Sequence, residues 1–189
     1  MIVINLKNYK IGNSALDLVQ KIGLYCGRAI VAVSAVDLKE VVKNTNLQVY
    51  AQHVDYKDLG RGTGYVIPES LVGAAAVGSL LNHSEHKMTM SDIKKVIKRC
   101  NEVGLKLIVC ISTLKQAQQI KRLNPYAIAF EDKKLIATGK SITNHKSHDV
   151  KKFAELLKDT DIIPLCGAGI TTGEDIANAL LLGCKGVLV

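Results

Sequence analysis

The chain has no tryptophan and only two phenylalanines; aromatic residues make up 4% of its 189 positions. Basic residues therefore have few aromatic neighbours, and a single-stranded nucleic acid would lack the rings on which bases stack. Long apolar runs are also missing. Met1-Ile2-Val3-Ile4-Asn5-Leu6-Lys7 is too short for a signal peptide, and nothing later approaches the roughly 20 residues of a membrane span. A cytoplasmic protein with no membrane partner is expected. Cys26, Cys100, Cys110, Cys166 and Cys184 contain no C-x-x-C pair and are odd in number, so free thiols in a reducing compartment are expected, mostly filling the core. The pairs His83/His86 and His145/His148 lack further ligands at metal spacing. The G-x-G at residues 167–169 stands late in the chain without the full dinucleotide fingerprint. No metal and no cofactor are expected.

What is present is apolar material and positive charge. With 48% hydrophobic residues the chain can bury a core, and its length suggests one domain over 1–189. The formal charge of +8 suits an anionic partner. Most lysines, however, fall in helical patterns such as Lys94-Lys95 and Lys151-Lys152, which read as solvated helix faces.

Eight apolar runs punctuate the chain: Ile2–Leu6, Ala29–Val33, Gln48–Ala51, Val77–Leu81, Lys106–Ile111, Tyr126–Phe130, Ile162–Cys166 and Gly186–Val189. Most are continuous and β-branched, as in strands covered on both faces. Helical segments separate them, with Ser14, Ser91, Thr113 and Thr172 as expected N-caps. Repeated strand–helix units imply parallel, right-handed crossovers. An open doubly wound sheet competes with a closed barrel. Eight strands favour the (β/α)8 barrel, with the final helix missing because nothing follows the eighth strand.

Active sites of such barrels form at the C-terminal strand ends. The first strand ends with Asn5 and Lys7, which share a face if the strand continues. The fourth leads into His83, where a helical turn would disfavour the imidazolium form. The sixth runs into Glu131, a carboxylate partly withdrawn from water and so suited to general-base work. The seventh ends in Gly167-Ala168-Gly169, small residues that let backbone N–H groups approach an anion. Each residue alone also fits an ordinary loop position.

Together these segments resemble triosephosphate isomerase, in its short archaeal form. The resemblance rests on N-L-K-N-Y at 5–9, A-Q-H-V-D at 51–55, T-G-Y-V-I-P-E at 63–69 and A-V-G-S-L-L-N-H-S-E at 76–85. It continues through Phe130–Gly139, L-C-G-A-G-I-T-T-G-E-D at 165–175 and G-C-K-G-V-L-V at the end. It implies a TIM barrel and an aldose–ketose isomerase of glycolysis and gluconeogenesis, interconverting dihydroxyacetone phosphate and D-glyceraldehyde 3-phosphate. It assigns Glu131 as the base, His83 as the electrophile and Lys7 as the stabiliser of negative charge, in the family's known pairing of Glu with neutral His. Asn5 binds and helps position the substrate, Glu85 supports the network near Lys7, and the N–H of Ala137 joins Gly167, Ala168 and Gly169 on the phosphate. The segment after Glu131 is the lid, and the loops at 51–69 imply a homodimer or homotetramer.

Three departures stand out. Asp132 replaces the family's proline after the base, so a flexible, charged hinge is expected. Ala137 stands where the family has glycine. Val189 ends the chain where the family continues into a phosphate-binding loop and a last helix. The alternatives left open are a catalytically impaired or non-catalytic barrel homologue or fragment that binds phosphorylated ligands, a different phosphate-binding barrel enzyme, and a nucleic-acid binder. No motif supports the last.

Overall fold

The computed structural model describes residues 1–135, 138 and 140–189, and only the backbone of Lys133. Its strands are β1 (Ile2–Asn5), β2 (Ile30–Val33), β3 (Gln48–Ala51), β4 (Gly78–Leu81), β5 (Lys106–Ile111), β6 (Ala127–Glu131), β7 (Ile163–Gly167) and β8 (Gly186–Leu188). They join in sequence order as a closed barrel. The (β/α)8 expectation holds. Strands β2, β4, β6 and β8 are buried along their whole length, which explains why they lack polar alternation.

The helices are α1 (Asn13–Tyr25), α2 (Leu38–Lys43), α3 (Pro68–Gly73), α4 (Met90–Glu102), α5 (Leu114–Lys121), α6 (Ile142–His145), α7 (Ser147–Leu157) and α8 (Gly173–Leu181). A 3-10 turn covers Lys133–Leu135. Two expected caps hold: Thr113 accepts from Gln116 N–H, and Thr172 forms a capping box with Asp175. Two do not. Helix α1 starts after Gly12, and Ser14 instead exchanges hydrogen bonds with the backbone of Ile11. Helix α4 starts two residues before Ser91's expected first turn, because Thr89 accepts from Asp92 N–H at 3.1 Å and donates to its carboxylate. A Thr outside the helix competes successfully with a Ser that can sit inside it. The lysines at 94, 95, 98, 151 and 152 are exposed, as expected of solvated faces.

The chain divides into two compact units. One comprises Met1–Val3, Asn82–Lys87 and Ile108–Val189. Here β6 and β7 pair from Ala127↔Ile163 to Glu131↔Gly167, and Phe130 stacks on Phe153 of α7 at 5.4 Å. Strand β8 closes against β1 through Ile2↔Val187 and Val3↔Leu188. The other unit comprises Ile4–Leu81 and Met88–Leu107. Within it β2 and β3 pair over four residues each, and Tyr50 of β3 lies opposite Gly78 of β4. A Cβ on Gly78 would sit 2.3 Å from the Tyr50 ring, so the large ring and the missing side chain form one packing solution. Arg99 of α4 reaches Asp58, Glu69 of α3 and Glu102, fastening α3 and the loop before it to α4.

Candidate active site

In the second unit, Asn5 ends β1 and Lys7 lies two residues beyond it. The strand stops at Asn5, and Lys7 turns into the left-handed region at φ 48°. The expectation that the two share a strand face therefore fails, because strand alternation does not extend through such a residue. They meet by another route: Lys7 N–H donates to Asn5 Oδ1 at 3.0 Å. Gln52, just after β3, donates to the Lys7 carbonyl at 2.8 Å. Sequence reasoning placed Gln52 in an interface loop and missed this support. An amide directly following an apolar strand was the available signal.

In the first unit, the turn at Asn82–Lys87 carries His83 and β6 delivers Glu131. Both are buried, and His83 Nε2 lies 3.6 Å from Glu131 Oε1. The residues after β4 form a turn and not the start of a helix, and helix α4 begins only at Met90. Instead Glu85 N–H donates to His83 Nδ1 at 3.3 Å. With Nδ1 accepting, the hydrogen-bond geometry assigns the ring proton to Nε2, on the side of Glu131. The Glu85 carboxylate lies 3.5 Å from the same Nδ1 and is half exposed, which places Glu85 against His83. Glu131 Oε2 is buried without a hydrogen-bond partner among the described residues. A buried carboxylate oxygen left open in this way is costly unless a ligand completes it.

Cys110 of β5, expected only to fill the core, also borders this carboxylate. Burial, and then the charge of Glu131, hold its thiol well above the usual range. Its carbonyl accepts from the buried Asn82 side chain at 2.7 Å.

The turn after β7 is small for steric reasons as well as for anion approach. A Cβ on Gly167 would lie 2.5 Å from the Leu188 carbonyl, and one on Gly169 only 2.0 Å from the Lys140 carbonyl. Asp175, in the first turn of helix α8, reaches back to the two residues before the helix. The Asp175 carboxylate accepts from the N–H groups of both Thr171 and Thr172 at 3.0 Å. Ala137 lies outside the described residues. Asp132 is not the loose hinge expected: its carboxylate pairs with Lys146 Nζ at 2.8 Å and accepts from Lys134 N–H at 2.9 Å. Lys146 first, and the Lys134 amide after it, hold this carboxyl below its ordinary range.

A histidine with one nitrogen engaged and the other facing an open buried carboxylate can polarise a carbonyl while the carboxylate moves a proton on carbon. The family model for triosephosphate isomerase covers residues 1–189. The chain belongs to the triosephosphate isomerase family. It is 39% identical over 197 residues to the triosephosphate isomerase of Methanocaldococcus jannaschii, covering all of this chain and 90% of that one. The enzyme of the same name from Methanothermus fervidus is also 39% identical, with 89% of it covered. That of Saccharolobus solfataricus is 36% identical over 194 residues, with 86% covered. Among the described residues of this triosephosphate isomerase family member, no helix is long and apolar enough to cross a membrane. No cluster of three or more His, Cys, Asp or Glu residues is placed there to hold a metal ion.

Proposed function

We propose that this chain is a triosephosphate isomerase, interconverting dihydroxyacetone phosphate and D-glyceraldehyde 3-phosphate through an enediolate. Glu131 takes a proton from C1 of the ketose. His83 Nε2–H donates to the C2 carbonyl oxygen as it gains charge, and then passes protons between the two oxygens. Glu131 returns its proton to C2, giving the aldose. Lys7, held at its main chain by Asn5 and Gln52, contributes positive charge to the anionic substrate and enediolate. Gly167, Ala168 and Gly169 receive the phosphate with their backbone amides, joined by the N–H of Ala137. The segment after Glu131 closes over the substrate, since an enediolate exposed to water can eliminate its phosphate. The observation that carries this reading is the buried Glu131 carboxylate, with Oε2 open and Oε1 3.6 Å from His83 Nε2.

The test is turnover of glyceraldehyde 3-phosphate by the chain beside Glu131→Gln. Loss of a positioned base should lower kcat by about 10²- to 10⁴-fold. Equal turnover in the two proteins would remove Glu131 from the chemistry. A folded wild type without turnover would favour a barrel that only binds phosphorylated ligands. We also infer that the chain works as one (β/α)8 domain in a homo-oligomer. Leu59 and Tyr65, exposed on the loop after β3, support self-association. Sedimentation showing only monomer would refute it.

A further inference from the structure

Three buried polar residues between the lid segment and α8 have no place in the chemistry above: Ser141, Thr143 and Asp175. Ser141 caps α6, directly after the lid segment, and its hydroxyl shares a 2.7 Å hydrogen bond with Thr143. Thr172 caps α8, directly after the phosphate turn. The Asp175 carboxylate completes the second of these caps. It accepts from the amides and hydroxyls of Thr171 and Thr172, and the Ser141 side chain adjoins it. The backbone repeats the link, because Ile142 N–H donates to the Ala168 carbonyl at 3.1 Å. Gly169 packs against Lys140 and Ser141 so closely that no side chain fits. The end of the lid segment and the turn after β7 thus form one block, with a single carboxylate at its centre.

We infer that Asp175 is a positioning residue for the substrate phosphate: it fixes the Gly167–Gly169 turn and the Ser141 end of the lid segment in one arrangement. The inference rests on the reading of that turn as the phosphate cradle. Asp175 touches no reacting atom. Its carboxylate takes up the amides of Thr171 and Thr172 and puts a negative charge at the start of α8, which leaves the upstream turn as the landing place. A fixed cradle matters because misplacing a bound group by about 1 Å costs up to about a hundredfold in rate.

The test compares wild type with Asp175→Asn, which keeps the shape and removes the charge. Binding of inorganic phosphate is followed by titration calorimetry, independently of turnover. Activity is measured on glyceraldehyde 3-phosphate and on glyceraldehyde, which lacks the phosphate. Loss of the charge-assisted hydrogen bonds should weaken phosphate binding about tenfold or more. It should raise KM for the phosphorylated substrate in parallel, leaving kcat/KM for glyceraldehyde within about twofold of wild type. Equal losses on both substrates, or phosphate affinity within about twofold, would overturn the inference. So would a wild type that binds no phosphate. A wild type that binds phosphate without turnover would defeat the isomerase reading instead, and the affinity comparison would still decide this one. If Asp175→Asn does not fold, Ser141→Ala decides: unchanged phosphate affinity there overturns the inference.

Discussion

Replacing Gly169 with alanine tests whether the lid end and the phosphate turn are one packed block. Gly169 has φ +76°, a conformation that costs an L-residue about 1 to 2 kcal/mol. The new Cβ would stand 2.0 Å from the Lys140 carbonyl oxygen, 2.5 Å from its carbon and 3.1 Å from Ser141 Cα. All three are backbone atoms, so no flexible side chain can give way, and overpacking of this kind costs about 1 to 3 kcal/mol. The sum is about 3 kcal/mol, and for a chain of this size it lowers Tm by roughly 6 to 12 °C. Two other glycines separate the contributions. Gly104, after α4, has φ +74° with nothing within 4 Å of its Cβ position, so alanine there meets only the conformational cost of about 1 kcal/mol. Gly173 opens α8 outside the left-handed region and has nothing within 4 Å, so alanine there is neutral or stabilises by about 0.5 kcal/mol. Thermal unfolding of the three variants should rank 169, then 104, then 173 in loss. A Gly169→Ala protein no less stable than Gly104→Ala would refute the packing argument.

Two further outcomes follow from ionisable groups. The Thr171 amide, followed by the Ser141 and Thr172 side chains, holds Asp175 at about 2, below the ordinary 3.8. Its folded value lies below its unfolded one, so its contribution is complete above about pH 4 and is lost as pH falls toward 2. The denaturant midpoint of wild type should fall through that window, and that of Asp175→Asn should fall less; parallel curves would refute the assignment. Among the thiols, burial pushes Cys100 up to about 12 and Cys110 well above its usual range, while the Cys184 neighbour and burial raise Cys166. Cys184 is buried and Cys26 half-buried. A disulfide reagent at pH 8 should therefore modify Cys26 alone in the native protein and all five thiols after denaturation. A second fast native thiol would contradict this.

The alternation of apolar runs with helix-period segments was enough to establish eight parallel strands, because strands covered on both faces must be apolar throughout. The same logic put Glu131 and His83 at strand ends, where a polar residue after a buried run has few other reasons to occur. Threonine caps at 113 and 172 were legible because a hydroxyl before an apolar helix satisfies local amides. What the sequence left undecided were the features that depend on residues far apart in the chain. Lys7 turns left-handed with its carbonyl taken by Gln52, 45 positions away. His83 owes its tautomer to the Glu85 amide and not to a helix. Asp132 is anchored by Lys146, and Asp175 gathers the amides and hydroxyls of Thr171 and Thr172 onto one carboxylate. Periodicity reports which face of an element is buried, but not which partner occupies the other side. Only tertiary packing supplies that partner, and with it the direction in which each functional group points.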